Sequence, residues 1–157
     1  MKFFRNLALA ASLLCSALFA QAGALTDTLE ASLINHLFRG TAYTAPTTWY
    51  VGLLTGACSD SAAGTEVTGG SYARAAVAAG AANWAAVVSG NGTTNNVNAV
   101  AFATPTAGWG NVVSFGLYDA ASAGNLLICS PLTIAKTINQ ADTVTFPAAS
   151  LTVQIDN

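Results

Sequence analysis

Two stretches decide the fold: residues 112–118 read VVSFGLY, and residues 49–54 read WYVGLL. In both, β-branched, aromatic and leucine side chains recur with period two, which is typical of β-strands. In residues 49–54 both sets of alternating positions are apolar or glycine. We therefore expect both faces of that strand to be covered, as in the interior of a layered β protein.

Further strand signals follow at short intervals along the chain. Residues 144–146 and 151–155 flank the turn-forming PAAS of residues 147–150, and this pattern predicts a hairpin. Residues 90–98 (GNGTTNNVN) are predicted to form a short polar loop. Regular strand spacing predicts a mainly β fold, an antiparallel two-sheet β-sandwich. Weaker strand signals occupy residues 71–78, 82–88, 97–103 and 126–134.

One amphipathic α-helix is predicted near the N-terminus, over about residues 27–39. Its first turn carries Asp27 and Glu30, which suit the positive end of a helix. Arg39 lies in the last turn, and Gly40 is a natural terminator. The apolar stripe that predicts the helix consists of Leu25, Leu29, Leu33, Ile34 and Leu37.

The N-terminal residues have the pattern of an export signal. Lys2 and Arg5 precede an apolar run over residues 7–19, and residues 20–22 read AQA, with small side chains at the positions that a signal peptidase reads. The run is shorter than the roughly 20 apolar residues that span a bilayer. We therefore predict a cleaved signal peptide, residues 1–22, followed by a single β-sandwich domain, residues 23–157.

Charge is sparse in the chain from Gly23. It has three basic and seven acidic residues, a net charge of 3 − 7 = −4, and charged residues make up 8% of the sequence. Nucleic acids and anionic membranes both require clustered Lys and Arg, so neither is an expected partner. Two interpretations stay open at this point: a small exported domain with a neutral surface, or a subunit whose exterior packs against copies of itself.

The remaining chemistry is limited. Cys58 and Cys129 form an even pair in an exported chain, so a disulfide is expected, which would stabilise the fold by about 4 kcal/mol. His36 is the sole histidine, and no sequence pattern indicates a nucleophile, phosphate loop or metal ligand set. We predict no catalytic, metal-binding or cofactor-binding residues. Candidate loop-tip residues for holding a glycan are Trp109, Asn91 and Asn95.

Four segments resemble small proteins described in phage genomes as tail fibre proteins. They are residues 25–53 (LTDTLEASLINHLFRGTAYTAPTTWYVGL), 65–77 (TEVTGGSYARAAV), 102–125 (FATPTAGWGNVVSFGLYDAASAGN) and 142–156 (DTVTFPAASLTVQID). The resemblance implies a β-sandwich virion component without catalytic residues. The export signal and the two cysteines differ from that pattern. They favour a bacterial protein that uses this building block outside the inner membrane.

The leading hypothesis is an exported structural subunit that assembles with copies of itself into a filament or particle, outside the cell, on its surface or in the periplasm. The final strand is expected at a sheet edge, where unpaired backbone groups can join another chain. The alternative is an exported module that binds glycans or surfaces. The candidate assembly interface comprises Leu25, Leu29, Leu33, Leu37, Leu151, Val153 and Ile155.

The first prediction concerns the leader. Because residues 1–22 have the composition of a cleavable signal, exported protein should begin at Gly23. Intact-mass measurement of the exported fraction checks this, and exported material that still carries Met1 would contradict it.

Overall fold

The structure, a computed structural model, describes residues 24–87 and 92–155. The predicted signal peptide lies outside the described residues. No helix among the described residues is long and apolar enough to cross a membrane. The elements in chain order are β1 (Ala24–Leu25), α1 (Asp27–Arg39), β2 (Thr48–Leu54), β3 (Ala75–Ala78), β4 (Thr93–Asn95), β5 (Val100–Ala101), β6 (Gly110–Tyr118), β7 (Leu126–Ile138), β8 (Thr145–Phe146) and β9 (Thr152–Gln154).

A five-stranded antiparallel sheet forms the centre of the molecule, with strand order β1-β7-β6-β2-β3. The two stretches with the strongest strand pattern, β2 and β6, lie side by side in it, with Val51 opposite Leu117. Leu117 is in turn opposite Ile128 of β7, so these three side chains share one face. All three are buried in the main core.

The inner layer facing this core consists of two short antiparallel ladders and the helix. The ladders pair β4 with β9 and β5 with β8. Phe146 of β8 packs edge-on against Phe115 of β6, with 5.5 Å between ring centroids. Leu151, just before β9, and Leu29 of α1 also lie in the core. The prediction of a mainly β, antiparallel fold with one helix, consistent with a β-sandwich, is confirmed.

The opposite face of the central sheet is covered by the segment after β2. Thr55 N–H donates to the carbonyl of Thr65 at 2.8 Å, and Val67 N–H donates to Leu53 at 2.9 Å, so this segment folds back along β2. The structure contains the expected Cys58–Cys129 disulfide, which joins it to β7 across 71 positions. Both faces of residues 49–54 are therefore covered, as the sequence indicated.

The predicted C-terminal hairpin was wrong. β8 pairs with β5 and β9 pairs with β4, so residues 147–150 cross from one ladder to the other. The predicted strand over residues 82–88 was also wrong, because its described part is a turn with one isolated bridge at Trp84. Conversely, β4 lies within the segment predicted as a polar loop.

Asn96 explains why β9 pairs with β4 and not with β8. It is fully buried, and its Nδ2 donates to the carbonyls of Asn98 and Pro147, each at 2.8 Å. Its Oδ1 accepts the N–H of Leu151 at 2.8 Å. The Asn96 side chain therefore hydrogen-bonds to backbone groups at both ends of the segment that crosses from β8 to β9. These bonds position β9 beside β4 and not beside β8.

Along most of its outer edge, β7 has no strand partner among the described residues. β1 pairs with it only at Ile128 and Cys129. Between the pairs Val112–Lys136 and Ser114–Pro131, one residue of β6 faces four residues of β7, so the register of the ladder shifts there. Beside this half of β7 lies a cavity of about 560 Å³, whose walls include Leu53, Val112, Leu132 and Phe146.

We predict that Asn96→Ala lowers the free energy of unfolding by about 3 kcal/mol, because it leaves buried backbone groups without hydrogen-bond partners. Urea unfolding followed by tryptophan fluorescence measures it. The matched control is Asn98→Ala, which removes an exposed amide donor to Ala82 and should cost about 1 kcal/mol or less. Equal losses in the two variants would contradict this role for Asn96.

Candidate assembly surface and the Arg74 cluster

The start of helix α1 is fixed to the edge of the central sheet. Thr26 Oγ1 donates to the carbonyl of Leu126 at 2.8 Å, and Thr26 N–H donates to Leu127 at 3.0 Å. Asp27 N–H donates to the carbonyl of Asp60 at 3.0 Å, next to the disulfide. The first turn therefore has partners in both the sheet and the covering segment, and the predicted helix bounds, residues 27–39, agree with the structure.

The last turns of α1 expose large apolar side chains. Ile34 is 54% exposed, Leu37 is 69% exposed and Phe38 is 78% exposed. Because they are spaced three and four residues apart, they form one surface on the helix, which we call the outer helix patch. Leu29 packs into the core and Leu33 packs against it. Leu37, four residues after Leu33, therefore lies at the border between the outer helix patch and the covered side of the helix.

The end of the helix is held as firmly as its beginning. Gly40 has φ of +70°, and its N–H donates to the carbonyl of Asn35. The Nδ1 atom of His36 accepts the N–H of Tyr43 at 3.3 Å, and the side chain of Tyr43 packs against the core. Since both bonds direct the chain back to the protein, the outer helix patch lies on an ordered surface.

The structure corrects part of the candidate interface. Leu29, Leu151 and Val153 are at most 5% exposed and belong to the core, so they do not face another copy. Leu25 and Leu33 are partly buried against the same core. Leu37 and Ile155 are exposed. Ile34 and Phe38, which were not among the candidate interface residues, are also exposed apolar side chains of this helix.

The loop-tip role of Trp109 was wrong. Its side chain is 5% exposed, and its Nε1 donates to the carbonyl of Gly70 at 3.0 Å. The ring packs edge-on against Tyr72, with 5.2 Å between centroids. Asn95 lies in β4 opposite Thr152. Asn91 lies outside the described residues.

A charged cluster that the sequence did not predict lies on the outer face of the central sheet. Arg74 donates from Nε and Nη2 to the two carboxylate oxygens of Glu66, at 2.8 and 2.7 Å. Its Cζ lies 3.4 Å from the centroid of the Tyr118 ring. Tyr72 Oη donates to Glu66 Oε1 at 2.9 Å and accepts the N–H of Leu53. We call these four side chains, Arg74, Glu66, Tyr72 and Tyr118, the Arg74 cluster.

The Arg74 cluster also ties down the turn between β6 and β7. Arg74 Nη1 donates to the carbonyls of Ala120 and Ala123 at 2.7 and 2.8 Å. Gly52 beneath the cluster is required for it, since a Cβ there would lie 2.7 Å from Tyr118 and 3.0 Å from Glu66. The cluster therefore joins the covering segment, the β6–β7 turn and the middle of β2.

The two phenols of the cluster titrate far from their usual range. Burial raises the pKa of Tyr118 to about 12, with the negative charge of Glu66 adding to the effect and Arg74 opposing it. Burial also raises the pKa of Tyr72, which donates to Glu66. Because a raised pKa means that the folded state holds the proton more tightly, both groups make the fold lose stability as the pH rises above their ordinary value of 10.

Comparison with protein families identifies the chain. Residues 24–154 match the model of the family described as podophage GP4 fiber I protein gp80. The chain belongs to this fibre family. The resemblance to phage tail fibre proteins is thereby confirmed. A search of curated proteins finds no match.

The fibre family match spans the helix and all the strands described above. It includes the outer helix patch, the Arg74 cluster and both cysteines, and it begins two residues after the predicted cleavage site. The family is one of phage fibre structural proteins. Within the described residues, no group of three or more His, Cys, Asp and Glu side chains could hold a metal ion.

We predict that Arg74→Lys lowers the free energy of unfolding of this fibre-family protein by about 2 kcal/mol. Lysine keeps the charge but loses the two-pronged contact with Glu66 and the flat stacking on Tyr118. Chemical denaturation measures the change. Arg39→Lys, at an exposed position, is the matched control and should stay within about 0.5 kcal/mol of the unsubstituted chain. A similarly small effect at Arg74 would contradict the prediction.

Proposed function

We propose that this chain is an exported, non-enzymatic structural subunit that assembles with copies of itself into an extracellular or cell-surface filament or particle. The observation that carries the proposal is the direct succession of two segments. Residues 1–22 have the composition of an export signal, and residues 24–154 match a fibre family. A fibre-type building block therefore follows immediately on a segment that directs export.

Export is also supported by the disulfide. Cys58 and Cys129 meet in the fold, and such bonds persist in oxidising compartments rather than in the reducing cytoplasm. The bond fixes the covering segment to β7, so its formation after export would complete the outer layer of the sandwich. These features support a working location outside the inner membrane.

Self-association is supported by the surface. With three basic and seven acidic residues from Gly23 onward, copies repel one another weakly. The outer helix patch adds three large apolar side chains to that weakly charged exterior, each more than half exposed. Clustered apolar side chains on a rigid surface are typical of contact sites between proteins.

A structural role also accounts for the polar side chains that could otherwise serve catalysis. Asp119 accepts the backbone and side-chain N–H groups of Asn125 at 2.7 and 2.8 Å. Asp142 accepts the N–H of Asn139 at 2.7 Å. Glu66 forms an ion pair with Arg74, and Nδ1 of His36 accepts a hydrogen bond from the N–H of Tyr43. Each of these groups supports a turn, a helix end or a layer contact.

The alternative, a glycan-binding module, has lost its main support. Trp109 was its aromatic platform, and that ring is buried. Glycan binding by a protein that stays monomeric would still favour this alternative over the structural subunit.

The test is microscopy and light scattering of the exported fraction. We expect ordered particles by negative-stain imaging, and a scattering mass that rises with concentration for purified residues 23–157. Apolar contacts on a weakly charged surface should persist at about 0.5 M NaCl or above, because salt screens charge but does not weaken apolar burial. A chain that remains monomeric at high concentration without visible particles would contradict self-assembly.

A further inference from the structure

Residues 56–64, which read GACSDSAAG, form a loop within the covering segment, and we call them the disulfide loop. Thr55 N–H donates to the carbonyl of Thr65 at 2.8 Å, so the two ends of the loop are held together beside β2. The residues from Ser59 to Gly64 are exposed. Because the loop carries no large apolar side chain, it has little apolar burial with which to hold itself against the sheet.

Two bonds join the disulfide loop to the rest of the molecule in the part of the chain that the structure describes. The first is the disulfide between Cys58 and Cys129 of β7. The second is the hydrogen bond in which the carbonyl of Asp60 accepts the N–H of Asp27 at the start of α1. The other hydrogen bonds of the loop are internal to it. The closed position of the loop therefore depends on one covalent bond and one hydrogen bond.

The segments on either side of the disulfide loop have partners that do not involve the disulfide. Glu66 belongs to the Arg74 cluster, and Val67 N–H donates to the carbonyl of Leu53. At the start of α1, Thr26 donates its N–H and its hydroxyl to carbonyls of β7. Because these bonds persist when the disulfide is broken, opening of the loop stays local.

We propose that the disulfide loop is a redox-controlled cover over the start of α1, closed when Cys58 and Cys129 are bonded and open when they are reduced. Opening exposes the N–H of Asp27 and the thiol of Cys129, a residue that is 3% exposed in the closed state. The inference goes beyond the proposed function, because it concerns a single copy and does not require self-assembly. Its use in the cell rests on the proposed export.

Closure is an oxidation that moves two electrons to a protein disulfide of the oxidising compartment. Cys58 is the more exposed of the two cysteines, so its thiolate attacks that disulfide first, breaking the S–S bond of the oxidant and forming a mixed disulfide. The thiolate of Cys129 then attacks the sulfur of Cys58. The Cys58–Cys129 bond forms, and the oxidant leaves as a dithiol that carries the two electrons and two protons. Disulfides persist outside the reducing cytoplasm, so the loop closes after export.

Hydrogen exchange at two neighbouring amides, resolved by NMR, tests the opening on purified residues 23–157 with and without a phosphine reductant. Asp27 N–H donates to the disulfide loop and Thr26 N–H donates to Leu127 of β7, each at 3.0 Å, so the two amides form a matched pair. Reduction should speed the exchange of the Asp27 amide by about tenfold or more, because the bond that holds its acceptor in place is lost. Exchange of the Thr26 amide should change by less than about twofold.

Two variants serve as controls for the exchange measurement. Cys58→Ala lacks the disulfide, so its Asp27 amide should exchange fast without reductant and should not change further when the phosphine is added. Ser59→Ala, at an exposed position in the same loop, keeps both cysteines and should behave as the unsubstituted chain does in both conditions.

The outcomes separate this inference from the proposed function. If the Asp27 amide stays protected in the reduced chain, the loop remains closed without the disulfide and the inference fails. If Thr26 loses its protection as well, the disulfide holds the wider fold and not the loop alone, and the inference also fails. Export is measured separately, by cell fractionation with labelling of free thiols. Exported material with two free thiols would contradict closure after export, whereas a chain that stays inside the cell would contradict the proposed function.

Discussion

The stacked ion pair between Arg74 and Glu66 is the interaction on which the outer layer of this protein depends. A buried pair is stable only when its other hydrogen-bonding groups also have partners, because desolvation otherwise exceeds the attraction. Here the guanidinium makes four hydrogen bonds and lies on the ring of Tyr118. The paired glycines Gly52 and Gly116 of adjacent strands leave room beneath the cluster. A sheet that would otherwise have one wet face is thereby covered on both.

The inner layer is organised by a different kind of group. Its ladders are only two or three residues long, and ladders of that length are not stable by themselves. They are held by apolar contacts with the central sheet and by Asn96, whose amide replaces ladder bonds at the crossing between β8 and β9. The outer layer is thus held by the Arg74 cluster and the inner layer by the buried amide of Asn96. In a sheet with longer strands, backbone hydrogen bonds would have had this role.

Local patterns in the sequence predicted the elements that depend on local forces. The end of α1 follows from Gly40, its acidic first turn suits the start of a helix, and β2 and β6 follow from period-two patterning. Errors arose where a distant partner decides the structure. The sequence after β8 has the composition of a hairpin turn. In the structure, however, the carbonyl of Pro147 accepts a hydrogen bond from the side chain of Asn96, 51 residues away. Trp109 lies between two glycines and resembles a loop-tip residue, but its side chain is buried and donates a hydrogen bond to the carbonyl of Gly70.

The candidate surface shows the same limit. The apolar stripe of α1 predicted that one side of the helix is buried, but Ile34 was counted with that side and Phe38 was left out. On a helical wheel, Ile34 lies about 100° from Leu33 and close to Phe38, so Ile34 and Phe38 belong to the exposed side of the helix. Which side is covered depends on the seating of Thr26 on β7. That contact spans about 100 positions and cannot be read from local spacing.

The two outer edges of the central sheet are finished in ways that discourage the addition of a strand from another chain there. The half of β7 that has no outer strand partner among the described residues carries Pro131, an irregularity in its pairing with β6, and Lys136, and all three discourage pairing with another chain. At the opposite edge β3 is only four residues long, and Asn83 donates to the carbonyl of its last residue, Ala78. The outer helix patch has no comparable protection. A contact that uses the same surface on both subunits closes into a dimer, so a filament of the proposed kind would require a second contact elsewhere on each subunit.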